Sequence, residues 1–464
     1  MPLSNRLSKT AVSRRVCRPN LLRLALLSLG LLSGSPSFAL SLPQAQQQLQ
    51  SQSWDLKAHQ FETQAWQQQA AATSSLGLPR IDITVAGIAY GKQIDIGQDL
   101  PVPIPLTLDI QREGIRSQLN VTWPLGTGGK IAATQAQAQA KVSEAQSDLL
   151  MTEAKLNKNL IDRYFAVQLS QQALQVMQQA ATNLEAHVYK AKRFEQQGMI
   201  SRLSRIQAEV ARDGVKRDLI QAQANQTILR SALAGMLDLP ETQLGCLSTP
   251  LPIPQALPHP MAWYVTQAAQ FNPAFGKLTA KSSQAEQQLK IEQSAFKPEI
   301  FAVGRYELNR QATPLTEPDW SVGVGAKWAL TSGLDRHSMV SAAESRQQQV
   351  TALTAQTQAD IRLGVQQAYQ KISQYQQQYQ LLNQDLVLAA ESLRLQNKSF
   401  EAGLSTSLDV TDAQLGVARG EVQRAQASYD YVQALSSLYE LTGALQQLDS
   451  LSQYLALTEQ SCGA

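Results

Sequence analysis

Apolar residues recur along this chain with two periods, and the periods alternate. From Leu42 to about Ser75, residues Leu49, Leu56, Phe61, Ala65 and Trp66 fall at helical spacing in a Gln- and Ala-rich background. That pattern predicts a helix. Leu76-Gly77-Leu78-Pro79 ends it, since proline disfavours helix in the residue before it. The period then drops to two. Ile81, Ile83, Val85 and Ala89 alternate with Asp82, Thr84 and Ala86, which predicts a strand over about 81–90. Gly91 to Gly114 reads as a long loop, because Pro101, Pro103 and Pro105 are incompatible with a central strand. A second strand, about 115–124, puts Leu119, Val121 and Trp123 on one face and Gln118, Asn120 and Thr122 on the other.

Trp123-Pro124-Leu125-Gly126-Thr127-Gly128-Gly129-Lys130 turns the chain back into a helix. From about Lys130 to Gln197 there is no proline and no glycine. At ~1.5 Å per residue such a helix is on the order of 100 Å long, far beyond ordinary globular helices. Its Ala, Gln and Ser surface, with spaced Leu, Ile and Val, requires lateral packing against other long helices. After Gly198 a return helix is predicted from about Ser201 to Leu237, stopped by Asp238-Leu239-Pro240. Cys246 to Pro260 is a linker containing Pro250, Pro252, Pro254, Pro258 and Pro260.

The plan then recurs. A helix from about Ala262 to Lys297 is broken early by Asn272-Pro273. A strand over about 300–309 is followed by a short loop holding Pro314 and Pro318. The next strand, about 319–329, carries Trp320, Val322, Val324, Ala326 and Trp328 on one face. Trp328-Ala329-Leu330-Thr331-Ser332-Gly333 matches Trp123-Pro124-Leu125-Gly126-Thr127-Gly128 at an offset of 205 residues. A second long helix, about Leu334 to Glu401 with Gly364 inside it, returns from about Thr406 to Thr442. Gly443 caps the return, and a short tail runs from Gln446 to Ala464. The two structural repeats are thus 40–261 and 262–464.

Lengths constrain the assembly. Each return is too short to cover its long partner. The first helix of each repeat runs in the same direction as the return. End to end, the two match the long helix, so the breaks meet midway together with the Pro-rich linker. Four strands cannot close a barrel, and an open sheet edge is not viable in lipid. Trp320 to Trp328 spans eight steps, roughly 26 Å at ~3.3 Å each, which fits an outer-membrane apolar band with aromatic ends. Strands of several copies must therefore complete the barrel; three copies would give twelve.

Composition and charge add compartment. Arg6, Lys9, Arg14, Arg15, Arg18 and Arg23 form a basic leader without acids, and Leu21 to Leu32 is mostly apolar, interrupted only by Arg23 and Ser28. Ser37-Phe38-Ala39 fits cleavage before Leu40, so residues 1–39 read as a signal peptide. A membrane anchor is the alternative, disfavoured because the run is too short to span. Removing six basic residues turns the net charge from +3 to −3, with no basic excess to suggest nucleic acid. Cys246 and Cys462 remain in an exported chain. They are either a disulfide, in one equatorial region, or two unpaired thiols.

The turn between the second long helix and its return reads Phe400-Glu401-Ala402-Gly403-Leu404-Ser405-Thr406-Ser407-Leu408-Asp409-Val410-Thr411-Asp412-Ala413. A weaker copy lies at Phe194-Glu195-Gln196-Gln197-Gly198-Met199-Ile200-Ser201-Arg202-Leu203. With the element order, these tips resemble the TolC family of outer-membrane efflux proteins, most specifically at Gly403 followed by Asp409-Val410-Thr411-Asp412-Ala413. The resemblance covers about residues 40–460. It implies a fold that is mainly α with a membrane β-barrel segment, a TolC-like trimeric α/β-barrel built from two internal repeats. It implies a homotrimer in the outer membrane of a Gram-negative bacterium, in contact with its lipid and reaching into the periplasm. It further implies partners, a periplasmic adaptor and an inner-membrane pump, and export of drugs, metals, small toxins or, by type I secretion, proteins.

The resemblance also implies roles at the tips. Gly198, Met199, Ile200 and Ser201, with Gly403, Leu404, Ser405 and Thr406, become the adaptor-docking surface; by themselves the glycines need only reverse a helix. Asp409 and Asp412 lie three apart on one helix face. In a trimer they would form two carboxylate rings that favour cations. From periodicity alone they read as a capping aspartate and a solvated one. Ser204 stands where the family often has an aspartate, and Arg202 and Arg205 make the first tip unusually basic. A gate in which these arginines face Asp409 and Asp412, within or between subunits, is the expectation. His59, His187, His259 and His337 are scattered, without metal-ligand spacing. No phosphate loop or nucleophile motif appears, so neither an enzyme nor a cofactor site is expected. A soluble periplasmic coiled-coil scaffold is the competing class; the alternating strands argue against it.

Overall fold

The computed structural model describes residues 39–96, 106–309, 317–331 and 333–443. The expected leader, the prolines at 101–105, Pro314 and the tail with Cys462 lie outside them. The element order of one repeat is α1 (Leu42–Gln52), α2 (Trp54–Thr73), β1 (Arg80–Ile96), β2 (Leu106–Gly126), α3 (Lys130–Gln196) and α4 (Arg202–Met236). It recurs as α5 (Met261–Phe271), α6 (Pro273–Ser294), β3 (Glu299–Asn309), β4 (Trp320–Lys327), α7 (Arg336–Glu401) and α8 (Ser407–Thr442).

Several boundaries differ from the sequence reading. The helix expected over 42–75 is two helices and a 3-10 turn at Ser74–Gly77. Ser53 breaks it with an extended ψ of 118° and caps α2, accepting from the Leu56 N–H at 3.3 Å. The loop expected from Gly91 to Gly114 is largely strand: β1 continues to Ile96, and β2 resumes at Leu106. The register is unbroken from Arg80↔Thr122 to Ile96↔Leu106. Alternation continues through Gln93-Ile94-Asp95-Ile96 and Leu106-Thr107-Leu108-Asp109, on both sides of the prolines. The long helix expected from Leu334 starts at Arg336, because the Asp335 carboxylate caps it at Ser338 N–H, 3.0 Å. Gly364 does not interrupt it; its missing side chain admits Leu441 of α8.

The helices form sheets of parallel rods. α3 packs against α4 in one half of its length and against α2 and α6 in the other, with α8 also alongside; α7 packs on α8, α6 and α5. The stacked helices meet at the middle of α3 and α7, as the lengths require. There Leu42, Ala45 and Leu49 of α1 join Leu160, Tyr164 and Phe165 of α3 and Leu233 and Leu237 of α4 in the main core. The second repeat contributes Val365, Ile372, Tyr431 and Leu438 to the same core. The Pro-rich linker is laced across it. Tyr164 OH donates to Leu40 O at 2.8 Å and accepts from Thr249 N–H at 3.0 Å. Gln168 Nε2 donates to the Leu247 and Thr249 carbonyls at 2.9 and 2.7 Å. Tyr431 OH donates to Gln255 O at 3.2 Å. Cys246, in this region, is disulfide-bonded.

Candidate functional site

The strands form one antiparallel four-stranded sheet in chain order β1-β2-β3-β4. Its register sorts most side chains by face, with shifts at Ser117/Gln118 and Pro124/Gly126. Ile81 pairs across to Val121, Gly304 and Val322; Ile83 pairs to Leu119, Tyr306 and Trp320. Trp123, Ala302 and Val324 form a third row. This face is apolar, and most of its large side chains are exposed, with Leu119 and Val121 half-buried; Val324 is 73% exposed. The opposite face carries Asp82, Thr84, Asn120, Arg305 and Ser321. Asn120 Nδ2 bridges Asp82 and Thr84 at 3.3 and 3.1 Å, and Arg116 pairs with Glu307 at 2.5 Å and with Glu317. At the helical end of the sheet two indoles act alike. Trp123 Nε1 donates to Gly77 O at 3.1 Å, and Trp328 Nε1 donates to Phe296 O at 3.2 Å. Each ties the last strand of a hairpin to the segment entering the first.

A sheet with an exposed apolar face and a polar back is the wall of a membrane barrel. Both of its edges, β1 and β4, lack a strand partner among the described residues. The helices show the same incompleteness. Leu381, Leu388 and Leu395 of α7 lie seven residues apart and are all exposed, a coiled-coil seam with no helix on it among the described residues. Leu203, Ile206, Val210, Ile220 and Ile228 form an exposed stripe on α4.

At the far end from the sheet are two helix-reversing tips. Both end in the same motif: Met199 N–H donates to Phe194 O at 2.8 Å and Leu404 N–H to Ser399 O at 2.8 Å. Gly198 at φ 74° and Gly403 at φ 73° hold the left-handed residue that this closure needs. Ser201 caps α4 through Ser204 N–H at 3.2 Å, and Thr406 caps α8 through Asp409 N–H at 3.3 Å. Ser405 instead donates to Gln396 O at 3.2 Å. The tips expose Met199 and Leu404, the latter at 83%; Ile200 packs against a small buried cluster of Val188, Ala191 and Ala208.

Within one chain the charged residues at the tips make other contacts than arginine to Asp409 or Asp412. Asp409 closes a capping box, accepting from Thr406 N–H at 2.8 Å and Thr406 OH at 2.7 Å. The hydroxyl, then the N–H, hold its carboxyl below the usual range. Asp412 is exposed one turn further on. Arg205 does not reach either aspartate within the chain. It pairs with Glu195 at 2.6 Å and Glu209 at 2.7 Å. Glu209 and Glu195 raise the guanidinium's pKa, and Arg205 in turn depresses that of Glu209. Arg202 is exposed and has no ion-pair partner among the described residues. The bridge that does join the two tips is Lys190 to Glu401 at 2.9 Å. Beside it, Phe400 stacks on Phe194 at 5.5 Å between ring centres and packs against His187 at 4.9 Å with the rings tilted by 52°. The repeated Phe-Glu pair, Phe194-Glu195 and Phe400-Glu401, was the available signal. Both rings join one cluster and both carboxylates carry an ion pair.

The sequence matches the family described as outer membrane efflux protein over residues 45–238 and 264–444. The chain belongs to that family. The family's members are channels, not enzymes, and the TolC-type resemblance, fold class and outer-membrane location follow with it. A search of the curated proteins by sequence finds no match. Among solved structures, the fold is similar to the outer-membrane channel OprN, with TM-score 0.72 and 17% identity over 87% of this chain and 89% of that one. It is similar to CusC, with TM-score 0.74 and 16% identity over 87% and 92%. It is also similar to the outer membrane protein VceC of Vibrio cholerae, with TM-score 0.72 and 16% identity over 87% and 96%.

Proposed function

We propose that this channel is the outer-membrane duct of a tripartite export system, assembled as a homotrimer. The carrying observation is the open sheet with an exposed apolar face and two unpaired edges. Satisfying both edges in lipid requires the β4 edge of one copy to meet the β1 edge of the next. The same head-to-tail contact lays the Leu381-Leu388-Leu395 seam of α7 on the α4 stripe of a neighbour. Such a contact is heterologous, so it must close into a ring. Three copies make a twelve-stranded barrel, within the outer-membrane range, above a tube of long helices.

In this reading the tips lie at the periplasmic end. Gly198, Met199, Ile200, Ser201, Gly403, Leu404, Ser405 and Thr406 form the surface for a periplasmic adaptor linked to an inner-membrane pump. Asp409 and Asp412 ring the opening and favour cations over anions. Arg202, without an ion-pair partner among the described residues, is the arginine available to an aspartate of the neighbouring copy. The cargo class is small molecules, drugs or toxic compounds, with exported proteins as the second possibility. Cys246 and Cys462 fasten the tail to the equator.

The test is conductance of the reconstituted trimer. Replacing Asp409 and Asp412 with Asn should shift the reversal potential in a salt gradient toward anions. Unchanged ion selectivity would remove the carboxylate rings from the reading. Cargo is separated by the sensitivity profile of a deletion strain: growth defects on toxic small molecules favour efflux, and loss of an exported protein favours secretion.

A further inference from the structure

His187 is a buried imidazole for which the export reading has no use. It lies on α3, three turns before the first tip, and is only 3% exposed. Its Nε2 is 2.8 Å from the Ser407 hydroxyl, the first residue of α8, which is itself fully buried. Its ring packs on Phe400 at the end of α7. One side chain of the first hairpin therefore touches the second hairpin on both sides of its turn.

We infer that the neutral His187–Ser407 contact is the latch that holds the second tip against the first, and that protonating the imidazole releases it. Burial and the nearest cation oppose a positive charge here, and they outweigh the hydrogen bond with Ser407, which favours it. Ser407 presents the N-terminus of α8, the positive end of its helix dipole. Lys190, one turn along α3, adds a second cation. The nearby carboxylates are already engaged: Glu401 of α7 with Lys190, Asp409 of α8 in its capping box, and Glu209 of α4 with Arg205 and Lys192. Burial, then Lys190, push the imidazole down to about 4. A base depressed in the latched state stabilises that state above the free value and loses the contribution as pH falls from about 6.5 toward about 4. With those two values, acidifying from pH 7 to pH 5 shifts the latch equilibrium toward release by about 20-fold.

The inference rests on the tip being the gate, so the experiment separates the two. Hydrogen exchange on the full trimer in lipid reports the latch directly, and bilayer conductance reports the gate. At pH 5, corrected for intrinsic exchange, residues 398–410 should lose protection in the native protein. His187→Gln keeps a hydrogen-bonding amide without titrating, so it should retain protection and conductance from pH 7.5 to 5. Ser407→Ala should loosen the tip already at pH 7.5. An acid response of equal size in His187→Gln would overturn the latch. An acid response lost in Asp409→Asn/Asp412→Asn but kept in His187→Gln would also overturn it, assigning the effect to the aspartate rings. If exchange follows the inference while conductance does not change, the latch stands and the tip is not the gate.

Discussion

Val324 and Gly323 are adjacent in β4, at almost the same depth, on opposite faces of the sheet. Val324 is four residues from both Trp320 and Trp328, so it sits about 13 Å from each end of the apolar band. That is the middle of the bilayer if the band spans it. Its side chain projects outward with no neighbour covering it. Arginine at the lipid-facing midplane of a membrane barrel costs about 2–4 kcal/mol per chain, or roughly 30-fold to 700-fold in an insertion equilibrium. Gly323 faces the polar side, where a Cβ would meet only Val303 Cγ2 at 3.8 Å, an ordinary contact. An arginine there points into water and should cost under about 1 kcal/mol, because it neither enters lipid nor crowds a neighbour. The assay is urea unfolding of the protein in phospholipid vesicles, read by Trp emission and by the heat-modifiable band on a gel. Val324→Arg should lower the midpoint or abolish insertion, and Gly323→Arg should leave both nearly unchanged. Equal effects at the two positions, or a larger one at Gly323, would refute the assignment of faces.

Three further substitutions test the scaffold that carries the tips. Tyr164→Phe strips a buried hydroxyl from Leu40 O and Thr249 N–H. Leu40 O keeps the Ser248 N–H at 3.1 Å, so one group is stranded and the change should cost about 1–3 kcal/mol, measured as a drop in thermal midpoint; a drop too small to resolve would contradict the equatorial account. Gly443→Ala should detach the end of α8, since the residue sits at φ 65° with its Cβ position 2.2 Å from Phe271 O. Limited proteolysis should cut near 443 in the variant, and an unchanged digest would count against the contact. Thr406→Ala removes the α8 cap, worth about 1 kcal/mol, and should speed exchange of the 407–410 amides by about fivefold; unchanged exchange would argue that the cap is idle.

Much of this architecture was written in periodicity. The change from helical spacing to strict alternation located all four strands, and the proline-free stretches located α3 and α7. The equatorial meeting of helix ends followed from lengths alone, and the meeting of Leu42, Leu160 and Leu233 bears it out. Where the reading fell short, the cause was local. Pro101, Pro103 and Pro105 masked the alternation on either side of them. Ser53 broke a helix whose apolar spacing ran through it without a glycine or proline. At the tips, glycines and caps were legible because their backbone demands are local. The ion pairs were not: Arg205 finds Glu195 and Glu209, and Lys190 finds Glu401, according to which helix faces touch. His187 looked isolated for the same reason, since its partner Ser407 is 220 residues away.

The central claim is that the sheet of one copy is completed by another. Within one chain β1 and β4 are three strand spacings apart, about 14 Å at ~4.8 Å each, too far for a disulfide. Cysteines placed at Ile83 or Val85 in β1 and at Val322 or Val324 in β4 can therefore join only between copies. Oxidised in the outer membrane and run on a denaturing gel, the best-registered pair should give dimer and trimer bands and nothing larger. Monomer alone from every pair, or a ladder extending beyond three, would contradict a closed three-copy barrel.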